Sequence, residues 1–164
     1  MQSEEFHQQV SGFEGVWKGK GLVLKGDGVP YLEECTFTLV RKMPTVVIYQ
    51  IFQKTKHAIV ENKPMHAETG FIKFVMQQNT IHVEAGFTHP FPKGIVTELA
   101  TGTFESNLLK LEATQFNRTA VSEKEVTKYG REYELDGDAL SYVQYLHGEE
   151  HLKCQMKKSA VEEI

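Results

Sequence analysis

Two short stretches hold the residues best placed by type and spacing to do chemistry. The first is "HGEEH", His147 to His151, which fits as a string the H-x-x-E-H pattern of zinc peptidases. That chemistry needs two imidazoles on one helix face, one turn apart, with an acid between them to polarise water. The second is "KPMHAETGF", where His66 and Glu68 stand two apart and, on a strand, share a face. Such a pair is either a ligand-facing hydrogen-bonded couple or a polar contact at a rim. His82 and His89 flank "VEAGFT" with no third ligand at metal spacing, and read as surface or rim residues. No Ser, Cys or Thr stands in a nucleophile elbow, and no glycine loop cradles phosphate ahead of a helix.

The elements around "HGEEH" decide its geometry. Before it, in "ALSYVQYL", Leu140, Tyr142 and Leu146 alternate with Ser141, Val143 and Tyr145; after it, Leu152, Cys154 and Met156 alternate with Lys153, Gln155 and Lys157. Both runs have a period of two rather than 3.6, and Gly148 between them favours a turn. The stretch is expected to connect a β-hairpin, which removes the peptidase geometry. Strict alternation sets His151 on the face of Lys153 and Lys157, so it reaches a cleft only if its strand starts with a bulge or that face lines an open mouth.

Strand-like runs fill the rest of the chain. "GVWKGKGLVL", "YLEECTFTLV", "TVVIYQIFQK", "ETGFIKFVM", "TIHVEAGF", "GIVTEL", "GTFES", "LLKLEATQF", "EVTKYGREYEL", "ALSYVQYL" and "LKCQMKK" are rich in β-branched and aromatic residues and punctuated by Gly, Pro, Asn or Asp. Their close spacing leaves no room for crossover helices, so neighbours should pair antiparallel; "DGDA" at 136–139 is a clear hairpin signal. The expected fold is all-β: one antiparallel up-and-down barrel of about ten strands, able to hold a ligand in its mouth. Residues 1–12 form an N-terminal segment in which Phe6 and Val10, with Phe13 beyond it, fall at helical spacing and would plug one end. The barrel is expected over 13–158 and a polar tail over 159–164. Gly15, Trp17, Gly19 and Gly21 in "GVWKGKG" clear one face of the first strand, for barrel closure around Trp17 or for a flat ligand.

Composition narrows the partners. A chain of 164 residues is long enough to bury roughly 70% of its unfolded surface. A net charge of -4 with scattered Lys and Arg leaves no footprint for nucleic acid and no basic tract for a membrane surface. The acidic start "MQSEEFHQQV" is unlike a signal peptide, and no later apolar run is long enough to span a bilayer. A soluble, cytoplasmic protein is expected, monomer or homodimer, with Cys35 and Cys154 as reduced thiols.

The blocks "GVWKGKG", "YLEE", "PMHAETGFIKF", "GIVTELATGTFES", "SEKEVTKYGREYELDGDALSY" and "HLKCQMKK", in that order from Phe13 to Lys158, resemble the nitrobindins, haem-binding relatives of the fatty-acid-binding-protein barrels. The resemblance implies haem b in a wide cleft at one end of the barrel, its ferric iron held by one histidine that opens the last strand in a "HL" pair, here His151. It also implies nitric oxide binding and isomerisation of peroxynitrite to nitrate. Lys124, in the "KEVT" block, would pair with a propionate; His66 would be a pocket residue; Trp17 with Gly15, Gly19 and Gly21 would form the floor or wall. Three features depart from the family pattern: the short "LVLKGDGVP" after Gly21, Lys93 before Gly94, and Glu149 with Glu150 before His151. Two carboxylates beside anionic propionates should weaken haem binding.

A second resemblance supports a different class. "FEGVWK" is similar to the opening of fatty-acid-binding proteins, and Arg131 with Tyr133 in "REYEL" resembles their carboxylate-holding pair, for which the guanidinium fork is suited. This alternative is a small hydrophobic-ligand carrier without haem or catalysis. Those proteins insert a helix-turn-helix lid after the first strand, whereas here strand-like sequence runs on from Trp17 to Val40 past a Gly-Asp-Gly turn.

Overall fold

Alternation of apolar and polar residues carries through to the architecture, seen in a computed structural model that describes residues 1–121 and 126–160. Ten strands follow one helix, Ser3–Ser11 (α1): Gly15–Val23 (β1), Val29–Met43 (β2), Val46–His57 (β3), Pro64–Gln77 (β4), Thr80–Pro90 (β5), Ile95–Glu105 (β6), Leu108–Arg118 (β7), Tyr129–Asp136 (β8), Ala139–Leu146 (β9) and Glu149–Lys158 (β10). Each pairs antiparallel with its sequence neighbours, and β1 pairs with β10 to close the barrel. No lid interrupts the passage from β1 to β2, which are joined through a turn at residues 24–28.

The stretches "GIVTEL" and "GTFES", read above as two strands, are one. β6 runs through both, with a register shift between Leu99 and Ala100. Gly102 is a close-approach residue rather than a break: a Cβ there would stand 1.7 Å from the carbonyl oxygen of Lys110 on β7. The β9–β10 connection is also tighter than expected. Only His147 and Gly148 turn the chain, with φ of 52° and 86°, the left-handed pair that a two-residue hairpin requires; Glu149, Glu150 and His151 already lie in β10.

One end of the barrel is shut by apolar side chains. Phe6 and Val10 of α1 are buried, and Phe13, just past the helix, packs against Phe37, Phe74 and Phe104 with ring centroids 5.4, 5.5 and 5.3 Å away. Trp17 belongs to this closed end: it is fully buried, and its indole donates to the carbonyl of Phe13 at 2.9 Å. The other end is open, and the chemistry gathers there.

Candidate functional site

The open end holds a cavity of about 300 Å³. Its outer wall is apolar, built from Val23, Val96, Phe116, Leu146 and Leu152, and its inner wall is polar, with Glu33, His66, His89, Glu98 and Gln144 among its residues. His151 lines the same cavity. It gets there because β10 slips against β9: Glu150 pairs with Tyr145 but Leu152 pairs with Gln144, leaving His151 as the extra residue of a bulge. A bulge breaks strict alternation, so His151 and Leu152 both face the cavity although they are adjacent. The bulge is tied down by its own main chain, where the carbonyl of His151 accepts from the amide of Leu24 at 2.8 Å.

Beneath the mouth lies a buried polar network that joins four strands. Arg131 on β8 is its hub and is 1% exposed. Its guanidinium donates Nη2 to Oε2 of Glu68 at 3.0 Å, Nε to Oε1 of Glu98 at 3.1 Å and Nη2 to the same Glu98 oxygen at 2.5 Å, while Nη1 donates to Oε1 of Glu68. Burial disfavours ionisation of Glu68, but Arg131 and hydrogen bonds from His66 and His89 outweigh it, holding the carboxyl well below its usual range. For His89 burial favours the neutral ring, yet the bonds to Glu68 and Glu98 prevail and the imidazole is raised above its ordinary value.

His89 corrects the expectation drawn from sequence. Instead of a surface or rim residue it is 5% exposed, with Nδ1 3.0 Å from Oε2 of Glu68 and Nε2 3.5 Å from Oε2 of Glu98. The missing third ligand is supplied across strands: one step beyond the Thr69–Thr88 pair of β4 and β5, Glu68 comes opposite His89. His66 bonds Glu68 as the two-residue spacing allows, Nε2 to Oε2 at 3.3 Å. His82 is exposed, as expected.

Glu33 is the one buried side chain among the described residues with an orphan atom. Gln53 donates to its Oε1, but Oε2 is fully enclosed and has no hydrogen-bond partner in the protein. Burial pushes this carboxyl up to about 8, so at neutral pH it is mostly protonated, an enclosed neutral acid in the cavity wall. Tyr133, on β8, donates to Oε1 of Gln53 at 3.2 Å and stacks on Tyr142 at 4.5 Å. Arg131 and Tyr133, the candidate carboxylate-holding pair, are thus occupied by the chain's own Glu68, Glu98 and Gln53.

The remaining candidates fall in different places. Gly15, Gly19 and Gly21 do not line the cavity. Gly19 makes room for the β10 backbone, since a Cβ there would stand 1.9 Å from the carbonyl oxygen of Gln155; at Gly21 it would stand 2.2 Å from the ring of Tyr31, a cavity residue. Lys93 is exposed in the β5–β6 connection. Lys124 lies outside the described residues, as do Val161 to Ile164 of the expected tail. Cys35 and Cys154 are both buried free thiols, and no helix among the described residues is long and apolar enough to cross a membrane.

An apolar outer wall with one imidazole aimed into it suits a flat, largely apolar metal complex such as haem, for which a histidine is a common axial donor. Known proteins point the same way. Residues 7–161 match the family described as "THAP4-like, heme-binding beta-barrel domain". Peroxynitrite isomerase 2 of Mycobacterium avium is 37% identical over 134 residues, covering 78% of this chain and 76% of that protein. Peroxynitrite isomerase 1 of Mycobacterium tuberculosis is 34% identical over 143 residues, covering 82% and 80%. The crystal structure of Rv2717c from M. tuberculosis superposes with a TM-score of 0.69 at 28% identity, covering 94% of this chain and 97% of that one. Matching sequence along most of the barrel, and a barrel closed in the same way, make this chain a member of the THAP4-like heme-binding β-barrel family, the nitrobindins.

Proposed function

We propose that the chain holds one ferric haem b at the open end of the barrel through His151, binds nitric oxide there, and isomerises peroxynitrite to nitrate. The observation that carries this reading is the β10 bulge, which turns the one histidine at the start of the last strand into the cavity. Membership of a heme-binding family and relatives named peroxynitrite isomerase support it. When bound, haem would supply the iron chemistry for rearranging peroxynitrite to nitrate with no net gain or loss of electrons.

The chain's own residues supply the rest. His151 donates its imidazole lone pair, which requires the neutral ring. Val23, Leu146 and Leu152, which line the cavity, would exclude water from the bound group. Lys124 would pair with a propionate, and Lys93, exposed in the β5–β6 connection, would do the same. His66 lines the same cavity. Trp17 acts at a distance, as part of the closed end. Two buried thiols fit a reducing cytoplasmic setting.

The fatty-acid alternative loses support because Arg131 already binds two carboxylates of the chain. A haemin titration followed by Soret absorbance tests the proposal. Wild type should form a saturable one-to-one complex with a ferric, histidine-ligated spectrum that collapses in His151→Ala, and the loaded protein should speed peroxynitrite decay. Equal weak binding by both proteins would remove His151 from the site and the haem reading with it.

A further inference from the structure

The inner wall of the cavity brings three metal-binding atoms to one point. Nε2 of His66 lies 3.3 Å from Oε2 of Glu68, Nδ1 of His89 lies 3.0 Å from the same oxygen, and the two nitrogens are 3.2 Å apart. Three atoms that each carry a lone pair approach so closely only when protons or a cation lie between them. The size of the triangle favours a specific class of cation. A tetrahedral ion with bonds of about 2.0–2.1 Å holds its ligand atoms about 3.3–3.4 Å apart, so the three atoms need move by only a few tenths of an ångström (about 0.1–0.4 Å) to accept one.

The surroundings are those of a built ligand set. Nε2 of His89 lies 3.5 Å from both Oε2 of Glu98 and Nη2 of Arg131, while Nδ1 is the ring nitrogen turned to Glu68 and His66. Both oxygens of Glu68 accept from Arg131, Oε1 from Nη1 and Oε2 from Nη2 at 3.0 Å, and Oε2 is the one that also faces the two histidines. The Phe91 ring lies parallel to His89, with an interplanar angle of 7°, and fixes its plane. The main-chain amide of His66 donates to the hydroxyl of Thr55 at 3.0 Å, anchoring the one ligand that sits near solvent, its side chain 28% exposed.

We propose that His66, Glu68 and His89 form a binding site for one divalent transition-metal ion of the zinc class, separate from His151 and opening onto the same cavity. Two imidazoles and one carboxylate select such an ion over calcium or magnesium, which prefer oxygen. Three protein ligands leave a fourth position open, and it faces the cavity because His66 and His89 both line it. The nearby charge of Arg131 is matched by Glu68 and Glu98. None of the three ligands is the expected haem ligand, so the site can fill whether or not haem is bound at His151.

Cobalt(II) is the probe, because four-coordinate cobalt has intense visible d–d bands where the hexa-aqua ion has weak ones. The full-length protein, stripped with a chelator and free of haem, is titrated with cobalt(II) and then challenged with zinc(II). The expected result is d–d bands that saturate at one cobalt per chain and are displaced by zinc. In His66→Gln, at the exposed edge of the network, affinity should fall by at least about tenfold, while His151→Ala binds as wild type does. No saturable bands in wild type would overturn the site whatever the variants do. Bands that persist in His66→Gln, or vanish in His151→Ala with the fold intact by circular dichroism, would place the ion elsewhere and equally overturn it. Loss of haem binding in His151→Ala with cobalt binding retained separates this site from the haem site.

Discussion

Replacing Glu33 with glutamine should stabilise the protein, and by an amount that grows with pH. The carboxyl is enclosed, with one oxygen bonded to Gln53 and the other orphaned, and burial moves it from 4.5 to about 8. An acid raised in the folded state contributes fully below its unfolded value, and that contribution is lost as pH rises to the folded value. Between about pH 4.5 and pH 8 wild type therefore loses about 1.4 kcal/mol per pH unit through this one group. Glutamine copies the neutral acid in shape and cannot ionise. Urea unfolding of both haem-free proteins should show a difference under about 1 kcal/mol at pH 5 and about 3 kcal/mol at pH 7, with the variant the more stable. Titrating groups that are not coupled to Glu33 cancel in that difference. A pH-independent gap, or a variant that is the less stable at pH 8, would falsify the assignment of a neutral carboxyl to the cavity wall.

Glu68 should behave with the opposite sign. Its carboxyl is held low, so its contribution is present above about 4.5 and is lost as pH falls. Glu68→Gln should cost about 3–5 kcal/mol near pH 7, and the gap to wild type should close as urea melts are taken into acid. Gly19→Ala should open the β1–β10 seam, since its Cβ would stand 1.9 Å from the Gln155 carbonyl oxygen; about 2–3 kcal/mol of lost stability is expected, and an unchanged melting temperature would mean that the seam yields freely. Neutralising the exposed pair, Glu149→Gln with Glu150→Gln, should tighten haemin binding by up to about fivefold at low salt. The gain should shrink in about 1 M salt, and a salt-independent gain would point to contact rather than charge.

The barrel was legible because its signal is local. Period-two runs such as "TIHVEAGF" and "ALSYVQYL" name both the strand and its inward face, and Gly148 marks the hairpin, although the turn takes only His147 and Gly148 rather than all of "HGEEH". Where local signals mislead, tertiary spacing is the reason: Gly102 marks a close approach to β7 that looks, in sequence, like a strand end. The site was half legible. Parity placed His66 with Glu68, and it identified the bulge that His151 needs, which β10 has. The same parity carried an unused signal. Glu33 alternates with Tyr31, Cys35 and Phe37, His89 with Val83, Ala85 and Phe87, and Glu98 with Val96 and Ala100, so each is a polar residue at an inward position. What alternation cannot supply is height. Whether inward polar residues on β2, β4, β5, β6 and β8 meet in one layer depends on strand register, and the pairing of β4 with β5 beside β6 is what assembles Glu68, His89 and Glu98 around Arg131.

That layer explains why a barrel with an Arg-x-Tyr pair need not carry a carboxylate ligand. An arginine inside a barrel is a buried charge that must be matched. A carrier leaves the matching to its ligand, so its empty form bears an unpaired or water-solvated cation. Here Glu68 and Glu98 perform the ligand's part from β4 and β6, and Tyr133 is spent on Gln53. The Arg131 charge is thereby matched without a guest, and Phe13, Phe37, Phe74 and Phe104 belong to the apolar core. Ligand binding would then fall to the open end, whose cavity has apolar side chains on one side and Glu33, His66, His89, Glu98 and Gln144 on the other. Arg131 is therefore taken up by the chain's own carboxylates rather than left for a fatty-acid head group, whereas His151 lines the cavity at the open end.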